Sequence, residues 1–100
     1  MGTVVVHYTP KADQADQNQR LVEAVFAELN AADPGGVRYA TLRLEDGTFV
    51  HIAQVESDPN PLSAIAAFGA FQKDIQDRCE PGAGPDPQPA TLVGNYRLFA

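Results

Sequence analysis

The order of the periodic segments along this chain constrains its fold more than any other feature. The β-branched and aromatic residues of Thr3–Thr9 favour extended backbone, and Pro10 ends this first strand because it lacks an N–H donor. A helix follows, then two strands that flank the turn dipeptide Asp46-Gly47, then a second helix and a last strand. The order is therefore βαββαβ.

This order predicts a ferredoxin-like α+β fold, in which two helices cover one face of a four-stranded antiparallel sheet. We interpret residues 1–100 as a single domain, since a chain of this length buries roughly two-thirds of its surface on folding. With 44% hydrophobic and 20% charged residues, the composition is typical of a globular protein and excludes disordered and fibrous classes.

The first helix is predicted from an apolar stripe that lies between two breaks in the sequence. Asp13 is the expected N-cap, and the helix is expected to end before Asp33-Pro34. Apolar residues at helical spacing place one side of this helix against the sheet. The stripe consists of Leu21, Val22, Val25, Phe26 and Leu29.

The central strand pair spans Val37–Glu45 and Thr48–Glu56. Asp46-Gly47 favours a two-residue type I′ turn, and that turn fixes the register of the two strands. The predicted pairs are Leu44 with Phe49, Leu42 with His51, Ala40 with Ala53, Arg43 with Val50, Thr41 with Ile52 and Tyr39 with Gln54.

Apolar side chains occur on both predicted faces of this hairpin. One face carries Leu42 and Phe49, and the other carries Val50 and Ile52. A half-exposed antiparallel sheet normally alternates between apolar and polar residues, so this pattern indicates that both faces are covered. Two helices cover only one face, and we expect a second copy of the chain to cover the other.

The second half of the chain contains one helix, a connector and one strand. Pro61 is expected at the first position of the helix, whose apolar residues recur every three to four positions until Cys79. Pro81–Pro89 holds four prolines and two glycines, and we interpret it as an extended connector. The last strand is predicted at Ala90–Phe99.

The charge and the cysteine content exclude several classes of protein. A net charge of −6 with scattered basic residues disfavours binding to nucleic acid. No apolar run is long enough to span a membrane. Cys79 is the single cysteine and is expected to be a reduced thiol. No secretory signal precedes the first strand, so we expect a cytoplasmic protein.

Three segments of the sequence carry a resemblance to a known superfamily. They are the strand that ends in His7-Tyr8, the Asp46-Gly47 hairpin, and the helix that opens at Pro61-Leu62 and carries Phe68 and Phe71. Together they resemble the dimeric α+β barrels, and within these the antibiotic-biosynthesis-monooxygenase-like group. The resemblance implies a homodimer whose two sheets meet face to face, with a small-molecule pocket between the sheet and the helices of each subunit.

This chain departs from the resemblance at the residues that usually carry the chemistry. The monooxygenases and haem-degrading enzymes of this group typically use pocket tryptophans and an asparagine on the first strand. This sequence has no tryptophan, and His7 stands at the comparable strand position. The haem-degrading enzymes also use a histidine on the second helix, and residues 61–80 contain none. We therefore expect neither haem nor another tightly bound cofactor.

The two histidines, His7 and His51, are the candidate catalytic residues. An imidazole that faces a cleft can act as a general base near neutral pH, and both residues lie in predicted strands. A structural role as hydrogen-bonded sheet histidines is the alternative. The sequence leaves open whether the two face one cavity, and no ligand spacing in the sequence indicates a metal site.

Four further residues are candidates for binding a substrate. Tyr39 and Asn95 offer a hydroxyl and an amide that can hold a substrate oxygen, while Phe68 and Phe71 can enclose a ring. These residues and the resemblance favour a small-molecule-binding homodimer that acts on an aromatic or quinonoid compound as a cofactor-independent monooxygenase. The alternative is a non-catalytic module for ligand sensing or protein interaction.

Overall fold

The computed structural model describes residues 2–98 of the chain, and within them it places four strands, three α-helices and a 3₁₀ helix. The elements are β1 (Gly2–Tyr8), α1 (Ala15–Ala32), β2 (Val37–Arg43), β3 (Phe49–Val55), the 3₁₀ helix (Pro61–Ala64), α2 (Ala66–Gln72), α3 (Ile75–Arg78) and β4 (Asp86–Ala90). None of the helices in this part of the chain is both long and apolar enough to cross a membrane.

The four strands form one antiparallel sheet in the order β2-β3-β1-β4. The two central strands, β1 and β3, come from opposite halves of the chain, which is the arrangement that a ferredoxin-like βαββαβ fold requires. The predicted fold class is therefore confirmed.

The core lies between the sheet and the helices. The apolar stripe of α1 is confirmed in its position, since Val22 and Val25 are buried and Leu21, Phe26 and Leu29 pack against them. Aromatic side chains from the sheet and from α2 belong to the same hydrophobic cluster as these residues of α1. The buried members of this cluster are Tyr8, Val22, Val25, Phe49, Ile65, Phe71 and Cys79.

The predicted register of the hairpin is wrong by one residue. Gly47 N–H donates to the Leu44 carbonyl and Leu44 N–H donates to the Thr48 carbonyl, so the loop has three residues rather than two. Within this loop only Gly47 has a positive φ, at 92°, which is typical of a type I turn followed by a glycine bulge.

The one-residue shift turns every side chain of β2 to the other face relative to β3. Thr41 now lies opposite His51, and Tyr39 lies opposite Ala53. Tyr39 and Thr41 therefore share the helix-covered face of the sheet with His51, which the predicted register did not allow.

The helices differ from the prediction at the start of α1 and within the second helical segment. The N-cap of α1 is Gln14 rather than Asp13, and its side chain makes no capping hydrogen bond. The predicted second helix is broken at two residues. Pro61 opens a 3₁₀ helix, which the extended backbone of Ile65 separates from α2. Asp74 adopts a left-handed conformation with φ of 61° between α2 and α3. The helix ending at Asp33 is confirmed, since this residue is the C-cap and donates its N–H to Leu29.

The last strand also lies earlier than predicted. Residues 86–90 pair with β1, whereas residues 91–98 form no strand, and Phe99 lies outside the described residues. Pro87 and Pro89 are two positions apart, so both of the missing N–H groups lie on the outer side of this edge strand. The proline-rich composition of residues 81–89 favoured a connector in the sequence analysis. Alternating prolines are nevertheless compatible with an edge strand.

The outer face of the sheet, opposite the helices, carries Val5, Ala40, Leu42, Val50 and Ile52. The side chain of Leu42 is half exposed, and the other four are partly buried. The apolar second face that the sequence indicated is thus present in the fold.

Candidate functional site

A cavity of about 460 Å³ lies between the sheet and the α2–α3 segment. Alternating residues of β1 and β3 form its floor, because only every second side chain of a strand points to the helix-covered face. Apolar and aromatic side chains of the helices form most of the opposite wall, to which the amides of Gln72 and Gln76 also contribute. The principal lining residues are Val4, Val6, Ala53 and Val55 from the sheet and Leu62, Phe68, Phe71 and Ile75 from the helices.

Polar side chains meet at the sheet wall of this cavity. His51 lies at the centre, with the Tyr8 hydroxyl 2.7 Å from its Nε2 and the Tyr39 hydroxyl 2.5 Å from its Nδ1. The Thr41 hydroxyl is 3.1 Å from the same Nδ1. Both ring nitrogens of His51 are therefore bound by protein groups.

The chain of hydrogen bonds continues behind Tyr8 into the protein. Asn18 on α1 donates from Nδ2 to the Tyr8 hydroxyl over 2.9 Å, and its Oδ1 accepts from Nε of Arg78 over 3.3 Å. Asn18 is fully buried and Arg78 is 8% exposed, so both polar groups depend on protein partners.

Arg78 connects this chain to the broken second helix. Its Nη2 donates to the carbonyl of Phe71 and its Nη1 donates to the carbonyl of Lys73, at the C-terminal end of α2. These carbonyls have no partner within the helix, and a cation is favourable at this end of the helix dipole. Arg78 thus fixes both the cavity wall that carries Phe71 and the orientation of Asn18.

Burial shifts the pKa values of the three titratable groups at the sheet wall. It lowers the pKa of His51 to about 4 and raises the pKa of Tyr39 to about 12, the latter against a smaller opposing effect of a hydrogen bond with Thr41. Burial also raises the pKa of Tyr8 above its ordinary value, although the hydrogen bond from Asn18 opposes this shift. In each case the low-polarity surroundings disfavour the charged form, so all three groups are neutral at pH 7.

Aromatic rings surround the histidine on two sides. The ring of Phe71 lies 5.2 Å from the His51 ring, and the ring of Tyr8 lies 5.3 Å from it in a stacked arrangement. Phe68 is 6.2 Å from Phe71 and meets Tyr39 edge to face. These contacts hold the imidazole and the Tyr39 ring in defined orientations.

The structure brings four of the six sequence-predicted site residues together at this cavity. His51, Tyr39, Phe68 and Phe71 all line it. His7 lies on the outer face of the sheet instead, half exposed, with its Nε2 3.7 Å from Asp86. Within a single subunit, His7 and His51 therefore do not face the same cavity.

Asn95, the remaining candidate, lies after the last strand rather than within one. Its side chain accepts a hydrogen bond from the N–H of Leu98 over 3.0 Å. The nearby Tyr96 is 84% exposed, and neither residue lines the cavity. The shift of β4 toward the N-terminus is the reason, because it leaves residues 91–98 outside the sheet.

Sequence reasoning missed Asn18, Thr41 and Arg78. A signal for Asn18 was present, since it continues the spacing of Val22 and Val25 on α1 and is thus a polar residue on a buried helix face. Arg78 likewise continues the spacing of the apolar residues in α2 and α3. The contact of Thr41 with His51 could be predicted only from the correct register of β2 and β3.

No group of three or more His, Cys, Asp or Glu side chains within residues 2–98 is arranged to hold a metal ion. Cys79 is a free, buried thiol of the core, and burial raises its pKa.

Several solved proteins share this architecture over nearly the whole chain. A proposed antibiotic biosynthesis monooxygenase from Nitrosomonas europaea superposes with a TM-score of 0.71 at 13% sequence identity, over 94% of this chain and 100% of that chain. Rv0793 from Mycobacterium tuberculosis superposes with a TM-score of 0.71 at 14% identity, over 94% and 96% of the two chains. A further antibiotic biosynthesis monooxygenase gives a TM-score of 0.66 at 18% identity, over 94% and 100%.

The chain has the fold of the antibiotic-biosynthesis-monooxygenase-like structures. This confirms the resemblance that the element order indicated. No protein-family model matches the sequence, and no curated protein is significantly similar to it. At identities below 20% the similarity establishes the monooxygenase-like fold alone, because a fold can carry many different sites.

Proposed function

We propose that this chain works as a homodimer that binds a small aromatic or quinonoid compound in its cavity and acts on it as a cofactor-independent monooxygenase. The observation that carries the proposal is the cavity itself, with aromatic and aliphatic walls and a Tyr39–His51 pair at the sheet side. Ligand sites are commonly apolar, with a few polar groups that fix the orientation of the ligand.

The size and shape of the cavity support a flat ring compound. Its volume of about 460 Å³ lies within the range of typical ligand pockets, roughly 300–1,000 Å³. Phe68 and Phe71 lie on the helix side, and Val4 and Val6 lie on the sheet side. A planar ring inserted between these two walls would contact apolar surface on both of its faces.

The reaction class is suggested by two structures with this fold, one described as an antibiotic biosynthesis monooxygenase and the other as a proposed one. In a monooxygenation of this kind a ring CH₂ and O₂ give a ring carbonyl and water. In the proposed reaction Tyr39 contacts the substrate oxygen, Phe68 and Phe71 enclose the ring, and His51 acts on the substrate through the Tyr39 hydroxyl.

The homodimer is supported by two apolar surfaces of the described chain. The outer face of the sheet presents Val5, Leu42, Val50 and Ile52. The segment after β4 presents Val93, which is 97% exposed, together with exposed Leu92, Tyr96 and Leu98. Exposed apolar side chains that lie close together commonly mark contacts with another protein.

A non-catalytic ligand-sensing module is the second candidate function, and the state of His51 favours it. Both ring nitrogens are already bound by protein hydroxyls, and burial lowers the pKa of the ring to about 4. A general base is most effective when its pKa lies near the working pH and its nitrogen can reach the substrate. This imidazole meets neither condition directly.

Binding is tested by filling the cavity. Ala53 lies on the cavity floor, so Ala53→Leu should abolish the thermal stabilisation that 1,4-naphthoquinone gives to the wild type. A compound at about one hundred times its Kd adds roughly 2.7 kcal/mol of stability. Ala70→Leu, on the exposed surface of α2, is the matched control and should respond like the wild type. Equal responses of both variants would contradict binding in this cavity.

Catalysis is tested separately with an anthrone, which carries an oxidisable ring CH₂. The monooxygenase proposal expects O₂ consumption and formation of the anthraquinone by the wild type, both lost in Ala53→Leu. Recovery of the bound compound unchanged, without O₂ consumption, would favour the ligand-sensing module instead.

A further inference from the structure

The hydrogen-bond chain behind the cavity has a direction that begins at Arg78. A guanidinium can only donate hydrogen bonds, so the atom of Asn18 that faces Arg78 Nε must be the amide oxygen. The amide nitrogen of Asn18 then faces the Tyr8 hydroxyl and donates to it. The orientation of the Asn18 amide is therefore determined by the chemistry of its neighbour.

The next step fixes the tautomer of His51. The Tyr8 oxygen accepts from Asn18, so within residues 2–98 the acceptor that the Tyr8 hydroxyl contacts for its own hydrogen is Nε2 of His51, at 2.7 Å. In a neutral imidazole the other nitrogen, Nδ1, then carries the hydrogen. The opposite tautomer would aim Nε2–H at Tyr8 and leave the buried Tyr8 hydrogen without an acceptor, which is unfavourable. The low pKa of His51 supports a neutral ring.

The last step reaches the cavity. Nδ1–H of His51 donates to the Tyr39 oxygen at 2.5 Å, and the Thr41 hydroxyl lies 3.1 Å from the same nitrogen. Nδ1 carries a single hydrogen, and the Tyr39 oxygen is the nearer of the two hydroxyl oxygens that face it. The Tyr39 oxygen is thus an acceptor toward the protein. Its own hydrogen remains to be donated, and Tyr39 lines the cavity.

We propose that the hydrogen bonds from Arg78 to Tyr39 make the Tyr39 hydroxyl a hydrogen-bond donor to the ligand. The cavity then selects a ligand with a carbonyl or oxyanion oxygen over one that offers an N–H or O–H donor. The inference rests on the proposed function, because it assumes that the cavity binds a small molecule. It deepens that function by naming the class of compound and by assigning Asn18, Arg78 and His51 as positioning residues that act through Tyr39.

The chemical consequence concerns how the site activates a substrate. A donor to a carbonyl oxygen withdraws electron density and stabilises the negative charge of an enolate or phenolate. Tyr39 thus stabilises the enolate or phenolate form of a bound carbonyl compound, and it does so as a hydrogen-bond donor rather than as a base. The site polarises its ligand, and the imidazole is not the direct base.

The ligand test uses three tricyclic compounds of the same shape: 9-fluorenone with a carbonyl, carbazole with an N–H, and fluorene with neither. We expect the wild type to bind 9-fluorenone about tenfold more tightly than carbazole, the factor of one good hydrogen bond. The infrared carbonyl frequency of bound 9-fluorenone should fall. Tyr39→Phe should remove both the preference and the frequency shift while still binding fluorene.

A variant that reverses the direction of these hydrogen bonds provides the sharper test. In Asn18→Asp the carboxylate accepts from both Arg78 and Tyr8, so Tyr8 accepts from Nε2–H of His51 and Nδ1 accepts from Tyr39. Tyr39 then presents its oxygen to the cavity, and carbazole should bind more tightly than 9-fluorenone. Asn30→Asp makes the same chemical change at an exposed position of α1 and should keep the wild-type preference.

Nitrogen-15 chemical shifts of His51 test the direction of the chain without any ligand. We expect the Nδ1–H tautomer in the wild type and the Nε2–H tautomer in Asn18→Asp. An Nε2–H tautomer in the wild type, or carbazole bound at least as tightly as 9-fluorenone, would overturn the inference. If none of the three compounds binds, the proposed function fails. The tautomer of His51 in the wild type then still decides the direction of the hydrogen bonds.

Discussion

At the scale of single residues, three of the buried polar side chains in the described structure, Asn18, His51 and Arg78, are linked with Tyr8 by one series of hydrogen bonds. No buried side-chain nitrogen or oxygen within residues 2–98 lacks a hydrogen-bond partner. Tyr8 is central to this result, because its hydroxyl accepts from Asn18 and contacts His51 while its ring is part of the core. Loss of one such group exposes its partners to the full cost of burial without a hydrogen bond.

Tyr8→Phe is therefore expected to destabilise the protein. The substitution keeps the ring but leaves the Asn18 N–H and the His51 Nε2 without partners, which costs about 1–3 kcal/mol per orphaned group. Urea denaturation measures this change. Tyr96→Phe, at an 84% exposed position, is the matched control and should leave the free energy of unfolding unchanged. Equal stabilities of the two variants would contradict the role given to Tyr8.

His51 makes the stability depend on pH in a defined window. Its folded pKa of about 4 lies below its unfolded value of 6.5, so the unfolded state binds a proton first as the pH falls. The free energy of unfolding should fall between pH 6.5 and pH 4, by about 3 kcal/mol at roughly 1.4 kcal/mol per pKa unit. This contribution is fully present above pH 6.5 and is lost below pH 4.

The measurement compares urea denaturation of the wild type and of His51→Gln at several pH values in this window. Other groups titrate in both proteins, so the difference between the two curves isolates the imidazole. Parallel curves would show that His51 does not titrate differently in the folded and unfolded states.

At the scale of elements, the turn at Gly47 decides which side chains reach the cavity. The glycine bulge sets the register that places Tyr39 and Thr41 beside His51, and a two-residue turn would place them on the outer face of the sheet. The break at Asp74 has a similar effect on the helix side. It ends α2 where Arg78 can bind the carbonyls of Phe71 and Lys73.

Two glycine substitutions should change the stability in opposite directions. Gly47 has a φ of 92°, and the space that a Cβ atom would occupy there is open, so the cost of Gly47→Ala is conformational and should be about 1 kcal/mol. Gly69 lies inside α2 with open space around it and an ordinary helical conformation, so Gly69→Ala should stabilise by about 0.5–1 kcal/mol. Thermal or urea denaturation measures both changes, and the same sign for both would contradict this account.

At the scale of the whole molecule, helices cover one face of the sheet and leave the outer face with apolar side chains. An antiparallel sheet that faces water on one side normally carries polar residues there. Val5, Ile52 and Ala40 are instead adjacent across three neighbouring strands. A second copy of the chain is the partner that we propose for this face.

Ile52→Glu should convert the proposed homodimer into a monomer, because it places an unpaired charge at the centre of the outer face. Multi-angle light scattering of the wild type and the variant measures the change in mass. Ala70→Glu adds the same charge on the exposed surface of α2 and should remain dimeric. A wild type that is monomeric at micromolar concentration would contradict the dimer itself.

The sequence by itself determined the order of the elements, the hairpin, the apolar stripe of α1 and the ferredoxin-like class. These follow from local periodicity and from turn residues, which act over a few positions of the chain. His51, Tyr39, Phe68 and Phe71 could be named as site candidates for the same reason, since aromatic and imidazole groups on core elements are recognisable by type.

Only the tertiary structure decided the register of β2, the position of β4 and the series of hydrogen bonds that links Arg78 to Tyr39. The register depends on a choice between two turns that the same Asp46-Gly47 dipeptide can form. The strand at 86–90 exists because β1 offers an edge to which alternating prolines can pair. Asn18 and His51 are 33 positions apart in sequence and meet through Tyr8 only once the helix packs on the sheet, so no local pattern could show their contact.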